Sequence, residues 1–175
     1  MKIKTLYILV TFLITAFNIN VANAQASASL IAHASAEVIE SLAANEIAQL
    51  NFGRFSPGAT GGDIKLTPDG VRIATGTITL NTGTFNSAKF NLSGHPEASV
   101  NIALPSTTVL LVNSKTGKTM EVTFWESNPT AGIGTFVLTK GFATIHIGAT
   151  LKVGNINENP IGIYTGTYSI TFSYN

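Results

Sequence analysis

Proton transfer, nucleophilic attack and metal binding each need particular side chains held close together, and this chain has few such groupings. Its three histidines, His33, His95 and His146, fall on different segments. None has a second histidine four residues away, and no carboxylates gather beside them, as a metal site on one element would require. His33 and His146 are expected on the polar faces of strands and His95 in a turn. Asp63 and Asp69 flank a short strand and Glu37 stands three residues before Glu40. Neither pair has surroundings that would raise one carboxyl pKa and keep the other ionised, as general acid–base chemistry needs. With no cysteine, the chain lacks a thiol nucleophile, a thiolate ligand and any disulfide. Gly58-Ala59-Thr60-Gly61-Gly62 is missing the Lys and Ser/Thr of a phosphate loop and reads as a hairpin connection. No serine occupies a Gly-x-Ser-x-Gly elbow. Asn91-Leu92-Ser93 has the form of a glycosylation acceptor. The single tryptophan, Trp125, is expected on the face opposite Phe124, either as a surface platform for a ligand or as cover for a sheet edge. No catalytic residue, cofactor site or metal site is assigned, and the chain is not expected to be an enzyme.

The elements that position these groups begin after an export signal. Lys2 and Lys4, the apolar run Leu6 to Phe17 and Ala22-Asn23-Ala24 have the charge, length and small-residue end of a cleaved leader over residues 1–24. The run is too short for a membrane span, which needs about 20 apolar residues. Its removal from the 175 residues takes away two of the ten basic residues, leaving eight against nine acidic ones. Those eight are scattered singly, so there is no electrostatic footprint for nucleic acid.

From Ala26 onward the dominant period is two, the signature of strands with one face to a core. In the last stretch Tyr164, Gly166, Tyr168, Ile170, Phe172 and Tyr174 alternate with Ser and Thr, which reads as one long amphipathic strand. Near the start, Leu30, Ala32, Ala34, Ala36 and Val38 alternate with mostly polar residues, a row of mostly small apolar side chains that would suit a narrow groove. Between them lie Ile64/Leu66, Val71/Ile73, Ala88/Phe90/Leu92, Val100/Ile102/Leu104, Met120/Val122/Phe124 and Ile145/Ile147/Ala149/Leu151/Val153, separated by Gly, Pro and Asn turn signals. Only Ile39 to Gln49 has some helical preference, too short for more than a turn. Strands about ten residues apart predict an all-β antiparallel sandwich or barrel, with residues 25–175 as one domain.

Two resemblances follow. Gly162, fourteenth from the end, and the penultimate Tyr174, with alternating apolar residues between, resemble the C-terminus of fimbrial subunits assembled by the chaperone–usher route. That resemblance implies an immunoglobulin-like antiparallel β-sandwich whose terminal strand (Gly162, Tyr164, Tyr168, Ile170, Phe172, Tyr174) borders a groove. A periplasmic chaperone would fill the groove first, then the leading segment of another subunit. Residues 25–40, with donor positions Leu30, Ala32, Ala34, Ala36 and Val38, have the pattern of that segment. Leu50-Asn51-Phe52-Gly53, Gly61-Gly62, Leu92-Ser93-Gly94-His95-Pro96, Ile102-Ala103-Leu104-Pro105, Gly148-Ala149-Thr150-Leu151 and Gly162-x-Tyr164-x-Gly166-x-Tyr168 follow in the order of an exported bacterial family known only as a domain of unknown function, which it also resembles. The two together imply a secreted structural subunit at the cell surface, its partners being copies of itself or related subunits. The competing expectations are a self-complete immunoglobulin-like module that binds a glycan or protein, and a small outer-membrane barrel.

Overall fold

The computed structural model describes residues 27–175. The leader expected at 1–24 and the first two residues of the expected donor lie outside them. Backbone contacts divide the chain after Glu37. Residues 27–37 contain no helix or strand, and all of them are exposed.

Residues 38–175 are all-β and antiparallel. In chain order the strands are β1 (Ala43–Ala48), β2 (Phe55–Pro57), β3 (Gly62–Leu66), β4 (Arg72–Ala74), β5 (Ile78–Leu80), β6 (Ala88–Ser93), β7 (Ser99–Ala103), β8 (Val109–Asn113), β9 (Thr119–Asn128), β10 (Gly132–Val137), β11 (Phe142–Val153), β12 (Tyr164–Thr165) and β13 (Thr171–Tyr174). The largest sheet runs β1-β6-β11-β9-β8-β12, with β3 also on β11 and β4 on β3. A second sheet runs β10-β7-β13, and β2 pairs with β5.

The twelve residues of β11 organise the rest. One edge pairs with β9 from His146 to Lys152. The other is shared: Phe142 to Ile147 pair with β6, and Ala149 to Val153 with β3. Ile145, Ile147, Ala149, Leu151 and Val153 are all buried, as their alternation predicts. The first two join Ala88, Leu92, Val100, Ile102 and Leu138 in a core between the large sheet and β7. The last three join Phe52, Ile64, Leu66, Met120 and Val122 in a second core. Gly148 stands where the shared edge changes partner, and a Cβ there would run into the backbone of Leu66, Thr67 and Pro68.

Four expectations are corrected. The segment with helical preference is strand β1, because pairing with β6 outweighs a weak local propensity. Gly61-Gly62 does not close a hairpin: β2 and β3 belong to different sheets, and a Cβ on Gly61, at φ +70°, would meet the carbonyl of Val153. Val71 and Ile73 are half exposed, because the Thr67–Gly70 turn sets Arg72 opposite Leu66 and Ala74 opposite Ile64. Paired residues share a face, so Arg72 and Ala74 take the core side. Phe124 points outward, 71% exposed, and Trp125 inward against both cores. Between Gly148/Glu126 and Thr150/Thr123 the strand β9 carries one residue more than β11. Phe124 takes φ +48° within this bulge, so the alternation of β9 changes phase there.

Gly148→Ala is expected to lower stability by about 1–3 kcal/mol, the usual cost of overpacking, or more because the obstacle is backbone. Urea unfolding of the purified protein measures it, and an unchanged midpoint would contradict the role given to this position.

Candidate functional site

Residues 164–174 are not one strand. Tyr164 and Thr165 pair with Asn113 and Val112 of β8 in the large sheet, whereas Thr171 to Tyr174 pair with Ala103 to Val100 of β7 in the second. Residues 166–170 cross between the sheets without a ladder. Burial alternates from Tyr168 onward: Tyr168, Ile170, Phe172 and Tyr174 are half-buried and the residues between them exposed, whereas Gly166 is exposed along with Thr165 and Thr167. Gly162 precedes β12 in an exposed loop, where a Cβ would collide with the carboxamide of the buried Asn113.

Tyr174 fastens three parts of the molecule. Its hydroxyl accepts from the His95 backbone N–H at 2.7 Å and lies 2.8 Å from the Glu40 carbonyl, to which it donates. A Cβ on Gly94 would collide with that hydroxyl. The Gly94-His95 pair and the penultimate tyrosine are therefore two halves of one contact, and it holds the start of the folded body at the end of β13.

Beside this fastening the fold has an open border. Among the described residues, β13 pairs only with β7 and β1 only with β6, so each strand has one edge without a ladder partner. The face that β1 shares with the core is uncovered as well. Ala44 is paired with Leu92 and Glu46 with Phe90, and both Ala44 and Glu46 are exposed. Across the border, the Phe90 and Phe172 rings lie 5.9 Å apart, each only half-buried. Leu42, Tyr168 and Ile170 are other half-covered apolar groups of this core. Of the expected donor positions, Leu30, Ala32, Ala34 and Ala36 lie in the exposed segment 27–37 and Val38 immediately follows it. Leu30 is 92% and Val38 97% exposed.

Trp125 is not a surface platform: it is half-buried, with its ring 4.7 Å from that of Tyr168. The indole Nε1 and the Tyr168 hydroxyl are buried without a hydrogen-bond partner. Burial pushes the Tyr168 pKa up from 10.0 to about 12, and the Glu46 carboxylate adds to the rise. The Leu50 backbone opposes it without reaching hydrogen-bonding geometry. His33 is exposed, while His95 and His146 are half-buried on separate strands and turns. No group of three or more His, Asp and Glu residues that could hold a metal ion occurs among the described residues. No helix among them is long and apolar enough to cross a membrane.

A family model described as a domain of unknown function, DUF4402, matches residues 42–174. The match begins one residue before β1 and ends at Tyr174, so it takes in the whole set of strands and leaves the segment 27–39 outside. No curated protein and no solved structure matches the chain.

Two outcomes are expected. Tyr174→Phe leaves a backbone donor and acceptor without their partner and should cost about 1–3 kcal/mol in chemical unfolding. As for pH, the unfolded chain loses the Tyr168 proton near 10 while the folded chain keeps it to about 12. Stability contributed by the neutral phenol is therefore complete below pH 10 and declines from there to about 12. Absorbance titration of the phenolates should show one group ionising near 12, absent in Tyr168→Phe.

Proposed function

The chain belongs to the DUF4402 family, and from that premise we propose that it is an exported structural subunit which polymerises into fimbria-like assemblies by strand donation. Residues 27–39 of one copy enter the border between β1 and β13 of the next. The observation that carries this reading is the uncovered core side of both border strands: Ala44 and Glu46 are exposed on β1, and Phe172 is half-buried on β13. An edge strand with free amides and carbonyls is a template for another extended chain. An apolar floor left half-covered adds a reason for that chain to be apolar on alternate residues.

The leading segment has matching dimensions and shape. Leu30 to Val38 spans eight residue steps, about 26 Å when extended, against about 20 Å for the ribbon from Tyr168 to Tyr174. The border is floored by the rings of Phe90, Phe172 and Tyr168, against which small side chains would pack most closely. Ala32, Ala34 and Ala36 supply methyls, with Leu30 and Val38 as larger ends. Five mostly small side chains give only a few kcal/mol at about 25 cal/mol per Å². Backbone pairing along the border must then supply much of the affinity and the register. On this reading the leader at 1–24 directs the chain to the periplasm and on to the cell surface. A periplasmic chaperone keeps the border covered until a partner arrives, and there is no catalytic residue or cofactor. The rival reading, a self-complete module that binds a glycan or protein through its loops or through Trp125, loses the Trp125 face because the indole points inward.

Ala34→Pro removes a ladder N–H in the middle of the donor and should abolish the ladder of multimers on unboiled gels while export continues. Deleting residues 27–39 should yield monomers by light scattering at all concentrations. Multimers that persist in both variants would overturn the proposal.

A further inference from the structure

A cavity of about 330 Å³ opens on the other side of the large sheet. Ile145 and Ile147 of β11 point into the core, so His146 between them points the opposite way. Strand register lines up three side chains there. His146 stands opposite Lys89 of β6 and opposite Asn128 of β9, and such opposed residues have Cβ atoms about 4.5–5.5 Å apart. The β3–β4 turn brings Asp69 over one end of this row, where its Oδ1 accepts from Asn128 Nδ2 at 3.3 Å. Asn86 closes another side. Its Nδ2 donates to the Gln49 carbonyl at 2.5 Å, which fixes the carboxamide and leaves Oδ1 as an acceptor. Phe85 supplies an apolar wall, 38% exposed. The Arg72 guanidinium braces its ring, 4.3 Å from the centroid, and is itself held by the carbonyls of Phe52 and Asn81.

We propose that this cavity binds one ring of a neutral pyranose sugar. Its donors and acceptors come from different walls: the Lys89 ammonium and the His146 imidazole along the strand row, Asp69 over the Asn128 end of that row, and Asn86 on another side. The side chains of Lys89 and His146 make no hydrogen bond or ion pair among the described residues. The Asp69 carboxylate opposes a bound anion and the Lys89 ammonium a bound cation, which favours an uncharged guest. An apolar guest would leave several of these polar groups desolvated and unpaired, which costs far more than a missing contact. Sugar hydroxyls donate and accept in many directions, and the C–H face of the ring matches Phe85. The volume is near the lower bound of about 300 Å³ for ligand pockets, so it suits a single ring, and the open mouth leaves room for the remainder of a longer glycan. The site stands apart from the β1–β13 border, and the inference does not depend on strand donation.

The test uses the purified protein and the methyl α-glycosides of glucose, mannose and galactose, each titrated with saturation-transfer NMR on the glycoside. At least one should bind saturably with a Kd of about 1 mM, the affinity that the per-atom binding energy of drug-sized ligands gives for one ring. Asp69→Ala and His146→Ala should each weaken that glycoside about tenfold or more, with unchanged circular dichroism. Ala34→Pro should bind it like the unaltered protein, which separates this site from polymerisation. No saturable binding by any of the three up to about 100 mM would overturn the proposal. So would a glycoside that binds both pocket variants at full strength, or one displaced by acetate or phosphate at equal concentration.

Discussion

The structure depends on a single shared edge. β11 gives one side to β9 and divides the other between β6 and β3, so two separate apolar cores are anchored on one strand. At the change of partner the backbone of Leu66 to Pro68, at the end of β3, approaches β11 closely, and Gly148 is the residue without a Cβ at that point. Opposite it, β9 takes up the mismatch with the bulge at Phe124. The inward position of Trp125 is thus a consequence of how β11 is divided.

The same division explains why one side of the molecule is left open. The first half of β11 and β6 face β7 and β13 across a core that Leu138, Ile145 and Ile147 close completely at its centre. Towards β1 and β13 the covering thins, because β1 is a short edge strand with a register shift between Glu46 and Ala48, and β13 has only four ladder residues. An open apolar side is costly unless something covers it. The fastening by Tyr174 keeps the two border strands together at one end, through Glu40 and His95, without filling the space between them.

Strand identity was legible in the sequence wherever a strand is buried on one face throughout. β11, β3 and β7 alternate without interruption, and their inward residues are buried as their periodicity predicts. What escaped were effects of partners rather than of local pattern. A bulge reverses the phase of β9 after Val122, a four-residue turn reverses that of β4, and a sheet change divides the C-terminal ribbon although its sequence pattern is unbroken. Each depends on residues far away in the chain, so no window of neighbouring residues contains the information. The Gly94-His95 turn and Tyr174 were both visible as motifs, yet nothing in the sequence joined them, since the contact spans 79 residues. The cavity around His146 was hidden for the same reason: its walls come from four separate stretches of chain, and no two of its polar groups have a spacing that suggests a site.

Strand polarity bears on whether a donor would be a chain's own leading segment or another copy's. Glu40 is held at Tyr174, the C-terminal end of β13. A leading segment that ends at Glu40 can therefore lie beside its own β13 only by running in the same direction. It would then have to reverse within Ser41-Leu42 to enter β1, which runs the opposite way along β6. Parallel pairing is slightly weaker per residue than antiparallel, and it would be joined to β1 by an unusually tight connection between sheets. A second copy's segment is under neither restriction and can approach antiparallel to β13, with Leu30 to Val38 free to choose the register in which the alanines meet the rings. Under the strand-donation proposal, these backbone restrictions weigh against a chain's own leading segment as the occupant.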